Sequence, residues 1–113
     1  MRPAMERLTE NHALTMRADS ILLEKADSRW RGMWILPRLQ AKPVNPQPIY
    51  KLVFPFTNHR VALHVYAQDR PTIDHGPQRW IRIDSLESLP IPSPHRQAVR
   101  HLLSEATAAR ARR

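Results

Sequence analysis

Between Ser28 and Gln68 the chain carries no Asp or Glu, although that stretch holds many of its cations and polar side chains. Magnesium and similar hard cations need oxygen ligands, mostly carboxylates with water or phosphate, so Arg, Lys, Gln, Asn and His cannot build a hydrolytic metal site there. Glu24 and Asp27 stand just before the stretch and read as solvated turn carboxylates rather than metal ligands. His59 and His64 lack the dense Cys/His/carboxylate grouping of a zinc site, and no Ser-His-Asp set has the glycine context of a nucleophile elbow. With no Cys there is no thiol nucleophile, disulfide or iron–sulfur cluster in this chain. Neither a metal nor any other cofactor is expected. The chemistry left is recognition: hydroxyl and amide groups at Thr57 and Asn58, and cations that favour phosphate.

The net charge of +8 over 113 residues points to acidic partners such as phosphate polymers. Part of it sits in the terminal Ala-Ala-Arg-Ala-Arg-Arg run, which also suits a solvated helix end with cations near its negative dipole. Arg29, Arg31, Arg38, Lys42 and Lys51 form the expected phosphate-contact surface, acting without sequence preference and weakening with salt. Trp30, between Arg29 and Arg31, is a possible stacking platform for a base, whereas Trp34 alternates with Leu36 and reads as core.

The length suits one domain, and 11 Pro against 2 Gly implies stiff connections. No apolar run approaches the roughly 18 residues of a membrane span, and the start lacks the apolar core of a signal peptide, so the expected location is cytoplasmic with no membrane partner. Residues 1–11 show no clean period and read as a flexible arm, 12–107 as the domain, and 108–113 as a basic tail. His12 to Ala18 and Ser20 to Ala26 predict a hairpin turning at Asp19-Ser20, with Ile21-Leu22-Leu23 buried on both faces. Met33 to Leu39 is extended, and the prolines at 43, 46 and 48 put a loop where a helix could otherwise form. Ile49 to Phe54 and Val61 to Ala67 alternate as an antiparallel pair turning at Pro55 to His59.

Past a loop at Arg70 to Pro77, Arg79 to Ile83 reads as a strand. Asp84 and Glu87 have capping-box spacing ahead of a single helical turn, Ser85 to Leu89. Ser93 and Pro94 open the last helix, with Ala98, Leu102, Ala106, Ala109, Val99 and Leu103 on its packing stripe and Arg96 and Arg100 away from it.

The order of these parts resembles the C-terminal, Nudix-like domain of MutY-type A/G-specific adenine DNA glycosylases. The matching pieces are Ile21-Leu22-Leu23-Glu24-Lys25, Arg31-Gly32-Met33-Trp34-Ile35-Leu36-Pro37, Phe54 through Leu63, Arg79 through Leu86, and Leu89-Pro90-Ile91-Pro92-Ser93. Gly32 to Pro37 is similar to the lead-in of a Nudix hydrolase site whose carboxylate-rich helix does not follow. The resemblance implies an α+β fold, a Nudix-like mixed twisted sheet of about five or six strands with the C-terminal helix packed on it. It also implies a non-catalytic module that inspects 8-oxoguanine in double-stranded DNA through a Phe-Ser/Thr-His-like motif, here Phe56-Thr57-Asn58. Thr57 is expected to bond the Hoogsteen edge of the damaged base, with Phe56 as wedge or support. Asn58 replaces the usual His unless His59 takes that place.

Base excision would belong to a separate glycosylase protein or domain. Two other readings stay open: nucleotide binding without hydrolysis in a cleft lined by Trp34 and Phe56, and protein binding through the Lys42 to Pro48 loop.

Overall fold

A computed structural model describes residues 6–27, 29–40, 43, 47–70 and 77–111, with the side chains of 6 and 109–111 outside that description. The strands are β1 (Glu6–Leu14), β2 (Met16–Arg17), β3 (Ser20–Lys25), β4 (Trp34–Ile35), β5 (Arg38–Leu39), β6 (Tyr50–Phe56), β7 (His59–Ala67) and β8 (Gln78–Arg82). A 3₁₀ helix (Ile83–Ser88) and the long helix α1 (Ser93–Ala111) follow. The mixed α+β architecture expected from the sequence is present, with its eight described strands divided between two four-stranded sheets.

The first sheet runs β5-β1-β7-β6, with β1 parallel to β7 and antiparallel pairing elsewhere. Its alternation is clear from Val61 to Val65 on β7, where Val61, Leu63 and Val65 are fully buried and Ala62 and His64 point to the other face; Tyr66 is buried on that other face with Ala13 and Leu39. In the second sheet β3 pairs with β8 along its length and with β2 and β4 at its two ends. That double partnership explains why Ile21 to Glu24 is buried without interruption. Leu14, Ile21, Leu23, Leu36, Leu63, Val65, Leu86 and Ile91 join Ala98, Val99 and Leu102 of α1 in one core. Burying a side chain such as Leu23 or Leu63 stabilises the fold by about 1.5–3 kcal/mol.

Several local expectations are corrected. The flexible arm is a strand from Glu6 onward, because each residue of β1 finds a partner on β7 from Glu6↔His59 to Leu14↔Ala67. The hairpin at Asp19-Ser20 shrinks to Met16↔Ile21 and Arg17↔Ser20, since His12 to Leu14 belong to the other sheet. The capping box does not form: Arg82 is the cap residue with no side-chain cap bond, and the Asp84 carboxylate pairs with Arg82. Arg96 is not away from the packing surface, as its guanidinium donates to the Leu86 and Leu89 carbonyls.

Met33 to Leu39 divides in two. β4 joins β3, and β5 joins β1 after the chain crosses between sheets at the buried Leu36 and Pro37. The β6–β7 turn is shorter than Pro55 to His59, because Pro55 and Phe56 complete β6 and leave Thr57-Asn58 as the connection. Pro55 fits there because β6 is an edge strand, where a missing N–H breaks no second ladder. Most of the Lys42 to Pro48 loop lies outside the described residues. At the other end α1 continues through Ala111, so the expected tail begins as helix.

Deleting residues 1–10 tests the first correction, since it removes five register pairs of the β1–β7 ladder. Urea denaturation should show a loss of about 3 kcal/mol or more, a large share of the roughly 5–15 kcal/mol typical of domain stability. An unchanged midpoint would return the segment to the status of an arm.

Candidate functional site

The β6–β7 hairpin ends in two exposed polar residues, Thr57 and Asn58. Thr57 has φ 54°, a left-handed conformation that is costly for a β-branched residue. Its hydroxyl lies 3.4 Å from Nδ1 of the half-buried His59. One residue back, Phe56 meets the Trp30 ring edge-on at 5.3 Å, and the Arg29 guanidinium lies 4.9 Å over the Phe56 ring. Trp30 also tilts against Phe54 at 6.1 Å.

These contacts come from a loop that closes on itself. Gly32 N–H donates to the Ala26 carbonyl, Met33 N–H to Trp30, and Ala26 N–H to Met33. The closure holds Trp30 at φ 70° and uses Gly32 at φ 84°, where glycine carries no side-chain penalty. Two strained non-glycine residues, Trp30 and Thr57, therefore flank Phe56. Sparse backbone conformations of this kind cost about 1–3 kcal/mol each and persist where surrounding packing enforces them.

Behind the aromatic group lies a buried polar cluster. His12 Nδ1–H donates to the Leu36 carbonyl at 2.8 Å, while Leu36 N–H donates to His95 Nδ1 at 3.2 Å. The two imidazoles meet edge-to-face at 4.7 Å. A ring nitrogen that accepts an amide N–H carries no proton, so His95 is neutral here. Burial first, and the His12 charge second, bring its pKa from 6.5 to about 3.

Glu10 faces His12 Nε2 at 3.3 Å and pairs with Arg29. Burial pushes the Glu10 carboxyl up, but the His12 hydrogen bond and the Arg29, His12 and Arg38 charges outweigh it and set the pKa at about 2. Glu24, expected in solvent, is 3% exposed and accepts from Arg38 N–H and Gln78 Nε2, which joins β3 to β5 and β8. Asp27 is exposed as expected.

A cavity of about 220 Å³ opens onto this cluster, lined by Glu10, His12, Asp27, Arg29, Trp30 and Arg38 among others. At its wall Arg29 Nε and Trp30 Nε1 are buried donors without a partner among the described residues. No group of three or more His, Cys, Asp or Glu among the described residues is placed to hold a metal ion.

The structure brings together Phe56, Thr57, Asn58, His59, Arg29 and Trp30, whereas the described members of the proposed phosphate-contact set, Arg29, Arg31, Arg38 and Lys51, have different surroundings. Arg29 is turned inward, its charge matched by Glu10, so it is not a free phosphate ligand. Arg38 faces the cavity, Arg31 is exposed on the loop, Lys51 is exposed on β6, and Lys42 lies outside the described residues. Trp34 lies between Lys25 at 6.0 Å and Arg79 at 5.6 Å, and Trp30 rather than Trp34 is the aromatic beside Phe56. Sequence reasoning assigns no role to Glu10, His12 or His95. For Glu10 and His12 the local signal is a polar residue at an inward position of β1, in register with Leu14; His95, on α1, has none.

No family model matches the sequence, and neither does any curated protein. Solved structures do match. A MutT NUDIX hydrolase from Burkholderia pseudomallei superposes with TM-score 0.66 at 17% identity, covering 84% of this chain and 97% of that one. The Escherichia coli ORF135 protein gives 0.63 at 15% identity, with 94% of each chain covered. The C-terminal domain of mouse MUTYH, solved in complex with human PCNA, gives 0.57 at 12% identity over 88% and 89% of the two chains. The chain has the Nudix fold.

His95 and Glu10 make stability acid-sensitive. Between about 6.5 and 3 the unfolded chain protonates His95 while the folded chain does not, so stability falls as pH falls through that window. Glu10 adds a further loss as pH drops from 4.5 toward about 2, because its folded carboxyl stays ionised longer than the unfolded one. Replacing His95 with Asn keeps an acceptor for Leu36 N–H and removes the titration. Urea unfolding from pH 7 to 4.5 should then lose a slope of up to about 1.4 kcal/mol per pH unit. Retention of the full slope in His95→Asn would show that His95 is not the group responsible.

Proposed function

We propose that this chain is a non-catalytic recognition module of Nudix fold that reads 8-oxoguanine in double-stranded DNA with the tip of its β6–β7 hairpin. The observation that carries the reading is Thr57, an exposed β-branched residue at φ 54°, at a turn position where Gly or Asn is the easier choice. Strain kept at an exposed tip, with Phe56, Trp30 and Arg29 packed beneath it, fits a preorganised contact better than a simple connection. The likeness to the mouse MUTYH C-terminal domain supports the same direction.

In this reading Thr57 and Asn58 supply the hydrogen-bonding groups that approach the base edge, and His59 orients the Thr57 hydroxyl. Phe56 supports the tip from within the aromatic group, and Arg31 meets phosphate. Excision falls to a glycosylase protein or domain outside this sequence, in the cytoplasm, and no hydrolysis is expected of this chain.

A second reading has its own observation. The cavity beside the unpartnered Arg29 Nε and Trp30 Nε1 donors has room for a small polar ligand, so a mononucleotide held without cleavage is the competing occupant. Saturable binding of mononucleotide, with none to duplex, would favour it.

The deciding measurement is binding to duplexes with 8-oxoguanine:adenine, guanine:adenine and guanine:cytosine pairs at two salt concentrations. The lesion duplex should bind on the order of tenfold more tightly, the scale of one good base contact, and the ratio should survive added salt. Thr57→Gly removes the hydroxyl while fitting the turn. It should abolish the preference with stability unchanged or raised by up to about 1 kcal/mol. Equal, salt-sensitive binding to all three duplexes would overturn the reading.

A further inference from the structure

The first sheet has a second face, which no helix among the described residues covers. Its outward positions are Arg7, Thr9 and Asn11 on β1, Arg60, Ala62 and His64 on β7, and Lys51, Val53 and Pro55 on β6. At one end of this face Ala13, Leu39 and Tyr66 bury one another. At the other, nearest the Thr57 turn, Arg7 and Arg60 are exposed and Val53 is 54% exposed around a shallow cavity of about 240 Å³.

The parallel register sets Arg7 opposite Arg60. Like charges on adjacent strands repel, and this pair has no compensating carboxylate: none of the nine outward positions is Asp or Glu, and neither Arg has an ion-pair partner among the described residues. By contrast, Arg29 pairs with Glu10 and Arg100 with Glu87. An unmatched pair on an open face, at the end nearest the Thr57 turn, is what an external polyanion would neutralise.

We infer that this face is a docking track for the phosphate backbone of double-stranded DNA, running from the hairpin tip across Arg60 and Arg7. The inference rests on the DNA reading and extends it to a surface that hairpin recognition does not require. Lys51 lies opposite His64, four residues and about 13 Å along the strand from Arg60, so the cations are spread beyond the reach of one small anion. Val53 and Ala62 between them offer apolar contact to sugar. Arg60 is the second residue beyond the turn, so a backbone on this track passes beside Thr57 and Asn58.

The test compares the wild-type chain, Arg7→Gln/Arg60→Gln and Arg7→Lys/Arg60→Lys on undamaged and 8-oxoguanine duplexes across a salt series. Loss of two phosphate contacts should lower the slope of log K against log salt by about 1.8. Both duplexes should weaken alike, since phosphate contacts carry no sequence information. The Lys variant should bind as wild type does, and the Gln variant's melting temperature should not fall, because a repulsion has been removed.

An unchanged slope in the Gln variant overturns the track and leaves hairpin recognition standing. A Lys variant as weak as the Gln variant overturns the charge argument. Absence of duplex binding by the wild type, even at low salt, overturns track and DNA reading together. If the Gln substitutions abolish binding of a poly-glutamate peptide but leave duplex binding intact, the face takes acidic protein and the inference fails.

Discussion

The structure depends on how one buried residue, Leu36, satisfies its backbone. The chain passes from one sheet to the other at Leu36 and Pro37, and at that crossing Leu36 has no strand partner for its N–H and C=O. Buried backbone groups left unpaired cost as much as a lost hydrogen bond or more. Here two side chains serve them: His12 on β1 donates to the carbonyl, and His95 on α1 accepts from the amide. Both sheets and the helix are thereby fixed to a single residue. The arrangement requires His95 to stay neutral, which its depressed pKa secures.

The same crossing organises the polar interior around it. His12 carries a second contact to Glu10, Glu10 holds Arg29, and Arg29 lies on Phe56 at the end of the hairpin. A continuous set of contacts thus connects the crossing point to the Thr57 turn. Lone buried charges would be costly, but these are paired and hydrogen-bonded, so the cluster defines geometry more than it adds net stability. The hairpin tip is held against a fixed support, and Thr57 can keep its strained conformation.

Charge is divided between inside and outside according to partner. Arg29 and Arg96 are used internally, on a carboxylate and on two carbonyls. Arg7 and Arg60 meet each other on an open face. The net charge of +8 is therefore not evenly spread, and only the cations left without an internal task can contribute to binding a polyanion.

Much was set by the sequence alone. Alternation in β6 and β7, the unbroken apolar run of β3 and the Ser93-Pro94 start of α1 follow from local periodicity and proline chemistry, which need no distant partner. The lack of carboxylates from Ser28 to Gln68 is likewise legible in the sequence, as a segment without the oxygen ligands that a hard cation needs. Tertiary structure decided what Arg29 touches, why Glu24 is buried, and that Arg7 stands opposite Arg60. Parallel pairing of β1 with β7 joins segments far apart in the chain, and no local pattern records that register. His12 and His95 read as unremarkable polar residues until the sheet crossing at Leu36 gives each a backbone group to satisfy.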